Sequence, residues 1–248
     1  MILLDPSARP IIAHRGGAAT APENTLAAFA RAIGEGADAF ELDVHVTSDG
    51  HVVVCHDATI DRTTDGRGTI SSLPLADVQR WNAAARWSAH GFSRECIPRL
   101  AEVLDAFPQT PVIIELKTAA AARAAVDIVK ACGATDRVVL GAFRDAALVL
   151  PRAEGIPTLA SRAELLRLMP GAVLGMASGA APFRAAALSP SYFGAPIPVG
   201  RFVRTLGVPI HVWTVNDRGR ALQLWTAGVR GIVTDRPATM IEARRELR

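Results

Sequence analysis

Short β-branched runs alternate with longer Ala- and Leu-rich stretches along almost the whole chain, and few folds accommodate that rhythm. The runs fall at residues 11–13, 40–44, 52–54, 112–114, 138–140, 157–159, 210–215 and 232–234. Each is too short for a helix and reads as a buried strand. Between most of them lie segments of helical periodicity, at 25–33, 100–107, 119–131, 145–153, 163–169 and 218–227. Asn24 can cap the first helix, and Gly34, Gly36, Gly133 and Gly228 stand where helices should stop. Strands alternating with helices indicate a parallel α/β architecture. With a weaker sixth strand near 186–188 the barrel count reaches eight strand–helix units, which favours a (β/α)₈ TIM barrel over a doubly wound sheet.

One stretch breaks the rhythm. Residues 59–98 are rich in Thr, Gly, Arg and Trp and carry little strand signal. They read as a small insertion after the second β/α unit, following the strand at 52–54. Ser48-Asp49-Gly50 marks a tight turn ahead of that strand. No repeat or low-complexity linker occurs, so residues 1–248 are expected to form one catalytic domain. Residues 171–198 hold many Gly, Pro and Ser and, apart from that sixth strand, read least clearly.

Several function classes are disfavoured. No apolar run approaches the ~18 residues of a membrane span. Half the residues are hydrophobic and the net charge is only +3, which is not the composition of a disordered chain. No Lys/Arg block resembles a nucleic-acid stripe; the densest cluster, Arg244, Arg245 and Arg248, reads as a solvated helix end. Cys55, Cys96 and Cys132 form no CxxC and argue against a disulfide framework. Residues 1–10 do not resemble a secretory signal. The expectation is a cytoplasmic protein without stable membrane association or nucleic-acid partner. No feature specifies an oligomeric state.

The informative polar residues fall at strand ends. His14 and Arg15 end the first strand, Glu41 and Asp43 lie in and at the end of the second, and His56-Asp57 ends the next. Glu115 and Lys117 follow the run at 112–114, Trp213 and Asn216 close the one at 210–215, and Asp235 ends the last. In a (β/α)₈ barrel these carboxyl ends share one face, where active sites lie. Glu41 and Asp43 are two apart, so in a strand both project to one side. Two carboxylates there repel unless a cation or proton sits between them. With Glu115 as a third and no thiolate nearby, the set suits one hard divalent ion, Mg²⁺ or Ca²⁺.

His14 and His56 can serve as a general acid–base pair near neutral pH. Arg15 and Lys117 offer fixed positive charge, either to a phosphate or to the neighbouring carboxylates. Cation, histidines, Arg and Lys around one cavity describe a phosphoryl-transfer site. His45, His51, His90 and His211 lack this setting and read as structural, as do Trp81 and Trp87 as packing residues. There is no GxGxxG fingerprint, P-loop or GxSxG elbow.

His14-Arg15-Gly16, Pro22-Glu23-Asn24-Thr25, Glu41-Leu42-Asp43-Val44 and His56-Asp57 with Arg62-Thr63-Thr64 together resemble the glycerophosphodiester phosphodiesterase family. Glu115-Leu116-Lys117, Val212-Trp213-Thr214-Val215-Asn216 and Gly231-Ile232-Val233-Thr234-Asp235 extend the resemblance over about residues 11 to 240. Residues 143–205 carry no such motif. The resemblance implies a (β/α)₈ barrel that hydrolyses a glycerophosphodiester to sn-glycerol 3-phosphate and an alcohol. It implies His14 and His56 as acid and base, Glu41, Asp43 and Glu115 as metal ligands, Arg15 and Lys117 on the phosphate, and Trp213 against the glycerol carbons. Two rival expectations share this core: a lysophospholipase D, and a non-catalytic barrel that binds polyol phosphates.

Overall fold

The computed structural model describes residues 1–87, 91–174, 181–189 and 206–247. Eight strands form one sheet: β1 (Ile11–His14), β2 (Ala39–Val46), β3 (Val52–Val54), β4 (Val112–Leu116), β5 (Val138–Gly141), β6 (Ala186–Leu188), β7 (Ile210–Val212) and β8 (Gly231–Thr234). Seven of them run parallel in the order β5-β4-β2-β1-β8-β7-β6. The gap between β5 and β6 is spanned by residues 158 and 159. Leu140 bridges to Thr158 and Leu159 to Ala185, both in parallel sense. These single bridges make residues 158–159 the fifth of eight staves and close the expected TIM barrel. The weak strand expected at 186–188 is β6.

β3 stands outside the barrel. It pairs antiparallel with the far end of β2, Val44 with Val54 and Val46 with Val52. The insertion follows it, and only then comes the helix of the second unit, so the insertion separates that unit's strand from its helix. The insertion has its own apolar cluster of Val53, Cys55, Ile60, Ile70, Val78, Ala83 and Ile97. Trp81 serves packing, as expected: its ring lies against Gly66 and under the Arg80 guanidinium.

The helices are α1 (Leu26–Gly34), α2 (Leu75–Arg80), α3 (Leu100–Ala106), α4 (Ala120–Ala131), α5 (Val149–Ala153), α6 (Arg162–Leu174), α7 (Arg218–Thr226) and α8 (Pro237–Arg245). Two local expectations are corrected. Thr25, not Asn24, caps α1, its hydroxyl accepting from the Ala28 amide. Asn24 instead takes a left-handed backbone (φ 58°) and turns its amide into the site. The basic tail is not wholly solvated, because Arg244 reaches back to Asp38 and to the Arg9 carbonyl. Arg248 and His90 lie outside the described residues, as does most of the 171–198 stretch.

Strand alternation sorts the core into two layers. Phe40, Leu42, Val44, Val112, Ile114, Val138 and Leu140 face outward onto helices. Burying each such side chain favours folding by about 1.5–3 kcal/mol. Ile12, Ala39, Ile113, Val139, Leu159, Ala185 and Val233 fill the barrel interior, and Leu3 from the short 3₁₀ turn Ile2–Leu4 packs among them. That turn is held by His211, whose Nε2 donates to the Leu3 carbonyl at 3.0 Å. A Cβ on Gly231 would lie 2.2 Å from His211 Nδ1, so glycine is what leaves room for the ring. With apolar residues lower in the barrel, the inward positions left at the carboxyl ends belong to His14, Glu41, Asp43 and Glu115.

Candidate active site

Strand register assembles the acidic centre. His14 is level with Glu41 across β1 and β2, and Asp43 is level with Glu115 across β2 and β4. Period-two spacing turns Glu41 and Asp43 inward together. One carboxylate oxygen from each of Glu41, Asp43 and Glu115 lies within 4.8 Å of the other two. Glu41 and Asp43 are buried, with 8% and 1% of their surface exposed.

The surrounding cations do not satisfy the three carboxylates equally. The Lys117 ammonium bridges Asp43 at 2.7 Å and Glu115 at 2.6 Å. Arg15 brings its guanidinium Nε to 3.4 Å from Asp43, and Asn24 Nδ2 donates to the same carboxylate at 3.0 Å. Among the described residues, Glu41 receives only the Arg15 backbone N–H, at 3.3 Å. Burial raises the Asp43 carboxyl, yet Lys117 and Arg15 outweigh it and leave the group below the ordinary range. Burial and the charges of Asp43 and Glu115 push Glu41 up to about 8. Glu115 is raised as well, by burial and by Asp43, against the pull of Lys117. A largely buried three-carboxylate cluster in which Glu41 and Glu115 resist ionising is short of positive charge. Its all-oxygen donors match a hard divalent ion, so these residues fit a metal of the magnesium or calcium kind.

Both candidate histidines have Nδ1 fixed by a carboxylate. His14 Nδ1 lies 2.6 Å from Asp235 Oδ1, and Asp235 accepts a second bond from Asn216 Nδ2 at 2.7 Å. Asn216 is itself set by Thr234 Oγ1 and the Asp235 amide, both donating to its carbonyl. Burial lowers the His14 pKa, but Asp235 and Glu41 outweigh it and the net shift is upward. His56 Nδ1 lies 2.7 Å from Asp57 Oδ1. The Arg62 guanidinium bonds Asp57 and holds its carboxyl down at about 2. A carboxylate on Nδ1 makes that atom the donor and leaves Nε2 to exchange protons with a substrate. His45, expected to be structural, buttresses the second histidine from below, its Nε2 donating to the His56 carbonyl at 3.1 Å.

Arg15 has a left-handed backbone (φ 52°), as does Asn24, whose amide donates to the Arg15 carbonyl at 2.9 Å. A non-glycine residue in this region costs about 1–2 kcal/mol and is found where the surroundings enforce it. Here the strained turn points the Arg15 amide at Glu41 and the Asn24 side chain at Asp43.

A cavity of about 130 Å³ opens among these groups. Its lining divides by strand. Strands β1, β2 and β4, with the His56 segment, supply His14, Arg15, Glu41, Asp43, Glu115 and Lys117. The opposite wall, from β5 round to β8, is mostly apolar, with Ala142, Phe143, Leu165, Leu188, Trp213 and Val233, and carries Arg162 and Ser189 as its polar members. The Phe143 and Trp213 rings meet edge to face with centroids 6.1 Å apart. All eight residues singled out as site candidates therefore line one cavity. The roles of Asp235, Asp57, Arg62, Asn24 and Asn216 were not assigned from sequence. The position of Asp235 at the last strand end, and of Asp57 beside His56, was the available signal.

A parallel barrel whose mouth joins an acidic metal-type cluster, two carboxylate-backed histidines and two half-buried cations suits a hydrolase of phosphoric diesters. Comparison with known proteins agrees. The model of the glycerophosphoryl diester phosphodiesterase family matches residues 14–239, and the chain belongs to that family. It is 32% identical over 243 residues to a glycerophosphodiester phosphodiesterase of Caldanaerobacter subterraneus subsp. tengcongensis, covering 95% of this chain and 98% of that protein. A phosphodiesterase of Oleispira antarctica, solved in complex with the product sn-glycerol 3-phosphate, superposes with a TM-score of 0.79 at 28% identity, over 96% of this chain and 97% of the other. A glycerophosphodiester phosphodiesterase of Agrobacterium tumefaciens gives 0.76 at 27% identity, over 94% and 99%. A shorter match, 40% over 114 residues, is to a lysophospholipase D of Rattus norvegicus and covers 35% of that protein. Among the described residues no helix is long and apolar enough to cross a membrane.

Proposed function

We propose that this chain hydrolyses glycerophosphodiesters to sn-glycerol 3-phosphate and an alcohol, with one divalent cation and two histidines. The observation that carries the reading is the convergence, on one cavity, of three carboxylate oxygens within 4.8 Å of one another and two histidines each backed by a carboxylate on Nδ1. Glu41, Asp43 and Glu115 would hold the cation, Mg²⁺ or Ca²⁺. When bound, such an ion supplies positive charge against the charge that grows on the phosphoryl oxygens. Arg15 and Lys117 add fixed positive charge at the same wall and bind the phosphate. Trp213 packs against the glycerol carbons.

The histidines move the protons. Each exchanges through Nε2, because a carboxylate occupies Nδ1. The upward shift of His14 fits it to begin protonated and to donate to the leaving alkoxide, which leaves His56 to accept the proton of the nucleophile. Asp235 and Asp57 keep each ring in the tautomer that carries its proton on Nδ1, and Asp235 also stabilises the charged form of His14. The charged wall takes the phosphate and the apolar wall takes carbon.

The same division favours a second reading. Phe143, Leu165 and Leu188 offer a surface on which the chain of a lysophospholipid can lie, and this would make the enzyme a lysophospholipase D. The localisation that fits the primary reading is cytoplasmic.

The test is release of glycerol 3-phosphate from glycerophosphocholine and glycerophosphoethanolamine, with Mg²⁺, Ca²⁺ or EDTA. Metal-dependent release by the wild type, lost in His14→Ala and Glu41→Ala, supports the reading. A folded protein that releases nothing with either metal refutes it. Turnover of lysophosphatidylcholine, and not of the water-soluble diesters, selects the second reading; binding of glycerol 3-phosphate without turnover of either class selects a binding barrel.

A further inference from the structure

His56 is carried differently from every other group at the mouth. His14, Glu41, Asp43 and Glu115 lie on barrel strands whose neighbours fix them through parallel ladders. His56 follows β3, which lies outside the barrel, pairs antiparallel with β2 over Val52, Val53 and Val54, and on its other edge makes only a single bridge, Val53 to Arg99, among the described residues. The residues after it belong to an insertion with its own apolar cluster, distinct from the clusters of the barrel. The insertion therefore holds together as a body, and something must set where that body sits over the mouth.

Besides the β2 ladder and the His45 bond to the His56 carbonyl, one guanidinium ties that body to the loop after β1. Arg62 lies within the insertion. Its Nε donates to Asp57 Oδ2 at 2.7 Å and its Nη2 to Asp57 Oδ1 at 3.3 Å. It also donates twice to Glu23, from Nη1 to Oε2 at 2.7 Å and from Nη2 to Oε1 at 2.8 Å. Glu23 belongs to the barrel, in the loop between β1 and α1. The same Glu23 Oε1 accepts from Arg15 Nη1 at 3.0 Å. A continuous chain of contacts thus runs from His56 through Asp57, Arg62 and Glu23 to Arg15, joining the insertion to the strained turn beside the acidic cluster.

We propose that the Arg62–Glu23 pair is a positioning clamp that fastens the insertion across the barrel mouth and sets His56 relative to His14 and Arg15. The inference rests on the reading of His56 as a catalytic histidine given under Proposed function. Neither clamp residue acts on substrate: Arg62 works through Asp57, and Glu23 works through Arg62 and Arg15. The geometry demands arginine. A planar fork that engages two carboxylates by two bonds each fixes angle as well as distance, whereas an ammonium is a point charge. Arg62 is half-exposed, so the pair contributes at most about 1 kcal/mol to folding. Misplacing a catalytic group by about 1 Å costs on the order of 100-fold in rate. The clamp should therefore weigh far more on kcat than on stability.

The experiment compares wild type with Arg62→Gln, Arg62→Lys, Arg62→Ala and Glu23→Gln, with Arg31→Gln as a control that removes an exposed helix pair to Glu35. Steady-state hydrolysis of glycerophosphocholine, thermal melting and amide hydrogen exchange over residues 56–70 are read for each. The expected result is a kcat lower by about 30–100-fold in Arg62→Gln, with KM changed less than about threefold and melting close to the control. Arg62→Lys should recover little, ethylguanidinium should restore part of the Arg62→Ala activity, and exchange over 56–70 should quicken in Arg62→Gln and Glu23→Gln. A kcat within about threefold of wild type in Arg62→Gln overturns the proposal. So does a kcat loss that follows a fall in melting temperature and that ethylguanidinium does not relieve. If the wild type releases no glycerol 3-phosphate, or His56→Ala retains full turnover, the reading of the site has failed, and hydrogen exchange alone decides the clamp: faster exchange over 56–70 upholds it and unchanged exchange overturns it.

Discussion

His211 gives the barrel a defined acid sensitivity. The ring is fully buried on β7, its Nε2 donates to the Leu3 carbonyl, and its Nδ1 has no hydrogen-bond partner among the described residues. Burial depresses its pKa from 6.5 to about 4, only partly opposed by the Leu3 bond. The folded protein therefore keeps the ring neutral while the unfolded chain protonates it. The stability this confers is fully present above pH 6.5 and is lost as pH falls from there through 4. A tenfold difference in proton affinity between the two states is about 1.4 kcal/mol, so the loss amounts to about 3 kcal/mol, with a limiting slope of about 1.4 kcal/mol per pH unit. For a chain of this length that is about 6–12 °C in melting temperature. The substitution that isolates the effect is His211→Gln, whose amide can still donate to Leu3 but does not titrate. Urea unfolding of both proteins at half-unit steps from pH 7.5 to 4 should give curves that converge as pH falls, the wild type losing about 3 kcal/mol more than the variant. Carboxylates titrate in both proteins and cancel in the difference. Parallel curves over the whole range would show that His211 carries no such linkage and that the N-terminal turn is not held by a neutral imidazole.

Three further outcomes follow from the site. Asp235→Asn leaves the His14 ring in place but no longer enforces its tautomer, and should lower kcat by about 100-fold or more with little change in KM, measured by glycerol 3-phosphate release. Glu41→Gln removes the buried carboxyl held near 8 and should abolish metal-dependent turnover, yet raise metal-free stability by about 1–3 kcal/mol at pH 7.5. Because the folded pKa is raised, the wild type loses stability as pH rises from 4.5 to about 8, so melting in EDTA should show the gap widening over that range and levelling off above it. Trp213→Ala strips an aromatic face from the apolar wall and should raise KM by about 5–30-fold, more than it lowers kcat; an unchanged KM would remove Trp213 from the substrate surface.

The groups proposed to do chemistry were legible in the sequence and the groups that place them were not, for a physical reason. His14 ends an apolar strand and Glu41, Asp43 and Glu115 lie within two more, and a charge in that setting is conspicuous against the expected core. Parallel register then brings them together without further instruction, since His14 aligns with Glu41 and Asp43 with Glu115. The positioning groups come from loops and from distant parts of the chain. Arg62 meets Glu23 across 39 residues, Asp235 meets His14 across 221, and His211 meets Leu3 across 208. No local periodicity encodes such pairs. Asn24 illustrates the limit: its residue type suits a helix cap, and only the proximity of Asp43 in space shows that its amide serves the acidic cluster while Thr25 takes the cap. The two walls of the cavity carry the same contrast into function. The charged wall, proposed to bind phosphate, is built largely from three strands and can be read residue by residue. The opposite wall, proposed to meet the rest of the substrate, is assembled mostly from ordinary apolar residues of β5 through β8, each of which would pass in a sequence for core. Reaction class therefore follows from sequence, whereas the choice of alcohol depends on how those apolar residues enclose space, and variation at Phe143, Leu165 and Leu188 is expected to change which diester is cleaved without changing how.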